Sequence, residues 1–269
     1  MRRDYLPMDR LTGFFIVTVF WPFFFNAFIV FKRAIPRINP FCWDEFLMKM
    51  DYAIHLNHHP WALLHTFLGE PAVTKFIDLI YLDLWMTLLV LSFFWMAWHP
   101  DRFLRLRFYL SFILTWILLG TAFAIFFSSA GPCFYEKVAE ASENPYGPLL
   151  AYLHSVDQLT PLKAIAGQNY LWASFSKNYP AFASGISAMP SIHVAQVVLL
   201  TLLAWNINRG LGAVFGLYAF IVLVGSVHLG WHYAVDGYFS IVATSAIWYG
   251  VGWLINHRSF RKFSPSLNQ

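Results

Sequence analysis

Charge is what this sequence has least of. Asp, Glu, Lys and Arg make up 12% of its 269 residues, against roughly 25% in a soluble domain. So few charged side chains cannot clothe a water-exposed globule of this size. A disordered chain is excluded by the opposite excess, since 58% of the residues are hydrophobic and 20% aromatic. A strong basic excess is missing too. The 18 Lys and Arg stand against 14 Asp and Glu, a net +4, which suits topology control in membrane loops and not nucleic-acid binding. Cysteine is nearly absent, with Cys42 and Cys133 alone. No Asn is followed by x-Ser or x-Thr, so there is no N-glycosylation acceptor, which leans toward a bacterial source. No internal repeat is found. What these absences leave is a polytopic membrane protein, whose lipid-facing surface is apolar by design.

A membrane span needs about 20 mostly apolar residues. Six stretches are read as spans: 11–31, 76–98, 108–127, 191–206, 211–227 and 234–255, the fourth and fifth being short. Arg2, Arg3 and Arg10 precede the first run and no small-residue cleavage site follows it, so it is expected to be a retained span. Lys and Arg favour the cytoplasmic side. Arg102, Arg105 and Arg107, then Arg209, then Arg258, Arg261 and Lys262 all fall on the side of the N-terminal arginines, which predicts cytoplasmic termini. Lys32, Arg33 and Arg37 break the rule, because they follow the first span on the outside.

The expected fold is therefore an all-α integral membrane protein, a single membrane domain over 1–269 with six transmembrane helices. Segments 32–75 and 128–190 and the short turn 228–233 lie on its outer face. Within the first of these, Trp43, Phe46, Leu47, Met50 and Ile54 have helical apolar spacing, as in an interfacial helix. The second is rich in Gly, Pro, Ser and Asn, and long ordered loops are usually functional. Cys42 and Cys133 both fall on this face, where an oxidising compartment permits a disulfide. Two free thiols are the alternative.

Titratable groups at the rim of a helical bundle are costly unless they do something. Met189-Pro190-Ser191-Ile192-His193 opens the fourth span, and Gly230-Trp231-His232-Tyr233-Ala234-Val235-Asp236 opens the sixth. Both belong to the outer boundary, so the two histidines can share one depth. His232 and Asp236 are four apart, hence on one face of a helix. A carboxylate there holds one imidazole nitrogen and leaves the other free to attack. His193 supplies a second imidazole to protonate a leaving oxygen. Such a pair suits phosphoryl transfer through a phosphohistidine, with no metal or other cofactor required. Pro190 fits a first helical turn, and Ser191 with the free N–H groups of that turn can hold phosphate oxygens.

These residues resemble the type 2 phosphatidic acid phosphatase superfamily of integral membrane enzymes, whose motifs are Lys-x6-Arg-Pro, Pro-Ser-Gly-His and Ser-Arg-x5-His-x3-Asp. Pro190-Ser191-Ile192-His193 matches the second motif with Ile192 in place of Gly, and His232 and Asp236 match the end of the third. The resemblance implies a six-helix core with an outer-face site. It implies that His232 is the nucleophile, Asp236 its orienting carboxylate and His193 the acid. The third motif's Ser-Arg falls on Gly225-Ser226, so its arginine is missing. No Lys-x6-Arg-Pro precedes His193, and the nearest counterpart, Ser129-Ala130-Gly131-Pro132, carries no cation. Met189–His193 and Gly230–Asp236 are more similar to the inositol phosphorylceramide synthase-like branch, and 60–81 resembles bacterial members of it.

The missing arginine leaves a phosphoryl transition state short of positive charge. Lys137, Lys163 and Lys177 are candidates to supply it, with His228 one turn before His232, and Gln168, Asn169 and Tyr170 add neutral donors. His55, His58, His59 and His65 cluster without a carboxylate in any recognised metal motif, so no metal site is expected. Asp78 is expected to support the site, while Asp83 needs a partner or a wet cavity. Trp61, Trp85, Trp95, Trp98 and Trp172 read as interface belt and packing.

Three functions remain open. The first is a phosphotransferase moving a phosphoryl headgroup from a phospholipid donor to a lipid or carrier hydroxyl. The second is a phosphatase acting on an isoprenoid or glycerolipid phosphate. The third is a six-span transporter or scaffold without enzymatic activity. The expected location is the bacterial inner membrane, with the site on the periplasmic face.

Overall fold

The computed structural model describes residues 8–139, 143–179, 181 and 183–257, with the side chains of residues 8–10 left aside. Arg2, Arg3, Arg258, Arg261 and Lys262 lie outside the described residues. Within them the chain is helical and has no strand. The principal helices are α1 (Met8–Ile38), α2 (Asp44–Ile54), α3 (Pro60–Leu68), α4 (Pro71–Trp98), α5 (Arg102–Phe126), α6 (Gly147–Leu159), α7 (Lys163–Ser176), α8 (Ile192–Ile207), α9 (Arg209–His228) and α10 (Ala234–Asn256). Among the described residues five of these, α1, α4, α5, α9 and α10, are long and apolar enough to cross a membrane, and α8 is a shorter apolar helix.

The order of burial explains the arrangement. α8 is apolar all round, with Val194, Val197, Leu199, Leu200 and Leu203 buried, as expected for a helix surrounded by others. It packs against α9, α10, α5 and α4. α1 is peripheral. Trp21 lies 3.8 Å from Phe93 and 5.6 Å from Phe112 between ring centroids, while Phe15 and Phe23 face outward. Side-chain caps set helix starts. Asp101 accepts the N–H groups of Phe103 and Leu104 at α5, and Asn208 those of Gly210 and Leu211 at α9.

Several expected boundaries move. α1 does not end near Phe31 but runs to Ile38, so Lys32, Arg33 and Arg37 are helical and do not open a loop. Long unbranched cations are good helix formers and can lay their stems along apolar surface. Arg102, Arg105 and Arg107 are not in a turn either. They form the first turns of α5, where Arg107 folds over Trp248, 4.1 Å from its ring centroid. His228, expected in the 228–233 turn, is the last residue of α9 and fully buried. Segment 128–190 is not a long loop, because α6 and α7 lie inside it. In α2 the expected apolar stripe divides: Leu47 turns inward beside Asp44 and Asp51, while Phe46 and Ile54 stay exposed. Cys42 and Cys133 are separate free thiols, one exposed and one buried.

Candidate active site

The site is assembled at the ends of helices. Two stretches of π-helical turn, 80–84 in α4 and 118–123 in α5, border it. Such bulges are frequent at functional sites. The first lies where α4 turns Tyr81 and Trp85 onto His193. The Tyr81 ring stacks on the imidazole, centroids 4.6 Å apart and 18° from parallel. Trp85 covers it at 4.2 Å and donates its indole N–H to the His193 carbonyl at 3.1 Å. The second bulge carries Gly120, where a Cβ would come within 2.8 Å of Phe28 and 3.2 Å of Ile192.

His232 precedes α10. Its Nδ1 is 3.2 Å from Asp236 Oδ2, and the same oxygen accepts the Tyr233 N–H at 3.1 Å. The pair therefore does not meet as neighbours on a helix face, as the spacing predicts. It meets because Asp236, in the first turn of α10, turns back over the helix start, as a capping carboxylate does. With Nδ1–H directed to the carboxylate, Nε2 keeps its lone pair. Burial first and the charge of Lys32 second lower the His232 pKa to about 3, against a smaller upward pull from the Ala188 carbonyl. The imidazole is thus neutral at ordinary pH, the form a nucleophile needs. The His193 and His232 ring centroids are 6.4 Å apart. Since an attacking atom sits roughly 3–3.5 Å from its target and a hydrogen-bonding acid about 2.6–3.2 Å from its oxygen, this gap can hold one phosphoryl group.

Both imidazoles line a cavity of about 360 Å³ whose wall is largely aromatic and aliphatic, with Phe28, Leu82, Trp116 and Trp231 among its members. Its few polar groups include Lys32, Lys163, Tyr170 and Ser187.

Buried carboxylates hold the loops that bear the histidines. Asp44 accepts the N–H groups of Ala130 and Gly131 (2.9 and 2.8 Å) and the Tyr233 hydroxyl at 2.8 Å. Asp51 accepts those of Ala234 and Val235 at the start of α10 (2.8 and 2.9 Å), and burial raises its pKa to about 6 in spite of them. Asp78 does the same for Lys163 and Ala164 at the start of α7, both at 2.9 Å. Ser129 stitches the 128–131 loop to the 187–190 segment, taking the Ala188 N–H on its carbonyl (2.9 Å) and the Met189 N–H on its hydroxyl (3.0 Å). Gly131 has φ +96°, and a Cβ there would stand 2.7 Å from the Trp231 carbonyl, so glycine lets this loop approach the His232 loop closely. Ser129-Ala130-Gly131-Pro132, which brings no cation, is thus a brace.

The other expected phosphate contacts scatter. Ser191 is the N-cap of α8, and its hydroxyl accepts the Val194 N–H at 3.4 Å, so it is turned to the helix and does not line the cavity. Pro190 lies before that cap and not in the first helical turn. His228 faces away, bonded to Thr74 at 2.9 Å and packed on His65 at 4.6 Å. Gln168 is buried and donates to the Leu229 carbonyl at 2.9 Å. Asn169 is exposed, and Lys137 rides over Trp172, 4.6 Å from its ring centroid. Lys177 is exposed too. Of Ser191, His228, Lys137, Lys177, Gln168, Asn169 and Tyr170, Tyr170 alone reaches the cavity wall. Lys163 also reaches it but is paired with Asp83, which answers that residue's need for a partner. Among the described residues no three His, Cys, Asp or Glu side chains converge as metal ligands.

Sequence reasoning missed Lys32, Tyr81, Trp85 and the braces Asp44 and Asp51. Lys32 did carry a signal, as a cation on the wrong side of the charge rule. Tyr81 and Trp85 had none, because aromatic residues are everywhere in this chain. A family model described as the PAP2 superfamily matches residues 45–250. No curated protein and no solved structure matches the chain.

Proposed function

The chain belongs to the PAP2 superfamily, whose members are lipid phosphatases and phosphotransferases, and on that premise we propose that it transfers a phosphoryl headgroup from a phospholipid donor to a lipid or carrier hydroxyl. One observation carries the reading. A carboxylate-held neutral imidazole, His232, stands 6.4 Å from a second imidazole, His193, in the wall of one apolar-lined cavity.

In the first step His232 Nε2 attacks phosphorus, and the bond from phosphorus to the lipid oxygen breaks. With the anionic phosphoryl group bound beside it, His193 carries a proton and gives it to that leaving oxygen. Asp236 keeps Nδ1–H bound and stabilises the charge that develops on the ring. In the second step the acceptor hydroxyl attacks the phosphohistidine, neutral His193 takes its proton, and the P–N bond breaks to regenerate His232. The aromatic wall suits an amphiphilic donor and acceptor, and the Met189–His193 and Gly230–Asp236 variants favour the inositol phosphorylceramide synthase-like branch.

In the same reading the protein has six spans, with α8 as the short fourth, and resides in a bacterial inner membrane. Its histidine pair opens to the periplasmic face, away from Arg102, Arg105 and Arg209. The apolar helices support the membrane location.

A phosphatase would use the same residues, with water as acceptor. Purified protein in defined lipid, given phosphatidic acid or phosphatidylinositol with and without a diacylglycerol or ceramide acceptor, separates the two. The expected product is transferred headgroup that depends on the added acceptor. Free phosphate from phosphatidic acid, or free inositol phosphate from phosphatidylinositol, in its place would make the protein a hydrolase.

A further inference from the structure

The reaction proposed above lacks a cation. A phosphoryl group gathers charge on its peripheral oxygens in the transition state and needs fixed positive charge or donors aimed at them. Neither family arginine position supplies one. Of the lysines that loop position suggests, Lys137 and Lys177 lie off the cavity wall, and Lys163 is held by Asp83.

We propose that Lys32, from the peripheral helix α1, is the phosphate-binding cation of this site and donates its ammonium N–H groups to the oxygens of the phosphoryl group bound between His193 and His232. Lys32 lines the same cavity as both imidazoles. It forms no ion pair with a carboxylate of the described residues, whereas Lys163 in the same wall does. Its stem is fixed. Gly185, with φ +118°, lies so close that a Cβ would stand 3.1 Å from the Lys32 Cγ and 3.1 Å from its carbonyl carbon. A lysine within an apolar helix is expensive to keep without an anionic partner. The charge also reaches the nucleophile, since it helps to keep His232 neutral. Arg33, the next residue, lines a separate cavity of about 300 Å³ with Arg37 and Asn178, so one turn of α1 sends its cations in two directions. Residue 32 lies outside the family-matched span 45–250. The charge missing from this chain's versions of the family motifs is therefore brought by a helix that the match does not include.

This inference rests on the proposed transfer reaction, and the experiment keeps the two apart. Lys32→Met, Lys32→Gln, Lys32→Arg, Arg33→Gln and His232→Ala are purified and compared for turnover. Each is also compared for thermal stabilisation by orthovanadate, a tetrahedral anion that takes the place of phosphate. Lys32→Met and Lys32→Gln are each expected to lower kcat/KM by about 10²–10³-fold, the size of effect seen when one transition-state donor is lost. Both should lose the vanadate-induced shift in melting temperature while keeping the ligand-free one. Two uncharged replacements guard against a folding defect peculiar to one of them. Lys32→Arg recovers most of both properties, and Arg33→Gln matches the wild type. Near wild-type turnover in Lys32→Met with an inactive His232→Ala overturns the role of Lys32 and leaves the reaction standing. So does low turnover with undiminished vanadate stabilisation, which would make Lys32 a structural residue. An active His232→Ala overturns the reaction itself.

Discussion

His232 and Asp236 meet through a helix start, and that local geometry makes the roles separable. His232→Ala is expected to reduce turnover to background, because no other imidazole has a carboxylate at 3.2 Å behind it among the described residues. In His193→Ala the first-turnover burst of nitrophenol from a nitrophenyl phosphate, whose leaving group needs little protonation, should persist, while first-step cleavage of a lipid substrate is abolished. Equal loss on both would remove His193 from the acid role. The acidity of His232 gives a stability test. Its folded pKa of about 3 lies below the ordinary 6.5, so between these values the unfolded chain binds a proton that the folded chain does not. The folded state therefore weakens as pH falls through this window, by up to ~1.4 kcal/mol per pH unit for one such group. His232→Gln should lose this part of the dependence. Melting temperatures of the two proteins in detergent between pH 7 and pH 4 would converge or cross as the pH drops, and parallel curves would contradict the assignment.

At the scale of elements, the histidine-bearing turns are held from outside by α2. Asp51 accepts two N–H groups at the start of α10, and its loss leaves both buried donors unsatisfied. Asp51→Ala should cost about 1–3 kcal/mol of stability and reduce turnover although the residue does not line the cavity; unchanged melting would mean that α10 caps itself. Gly120→Leu in α5 should close the cavity against Phe28 and Ile192 and slow the reaction, with the His232–Asp236 contact intact. The spanning helices were well marked in the sequence, because the apolar runs of α4, α5 and α10 are long and the shorter runs of α8 and α9 are bounded by caps. The braces were not. Asp44 and Asp51 sit within an apparently amphipathic stretch, and only the fold shows that their receiving N–H groups belong to residues 130–131 and 234–235. The same limit applies to His228, Gln168 and Lys137, which lie near the site along the chain yet bond elsewhere. Sequence distance from a motif does not report which way a side chain faces.

For the whole molecule, His193, His232 and Asp236 were legible because short motifs encode them, while Lys32 was legible only as an anomaly in the charge pattern. In a Cys42→Ser background, the proposed topology predicts that Glu136→Cys, near the histidine end, reacts with a membrane-impermeant maleimide in intact cells. Arg102→Cys, at the start of α5, should react only after lysis, and the reverse pattern would invert the orientation. The central claim is that one phosphorus atom bonds to His232 between two imidazoles from separate helices. Rapid acid-free quenching of the protein with phosphate-labelled phosphatidic acid or phosphatidylinositol, followed by peptide mass spectrometry, tests it most directly. The account predicts an acid-labile, base-stable phosphate on His232 that persists in the absence of acceptor and vanishes in His232→Ala. Steady turnover with no covalent phosphate, or with the label on any other residue, would contradict it.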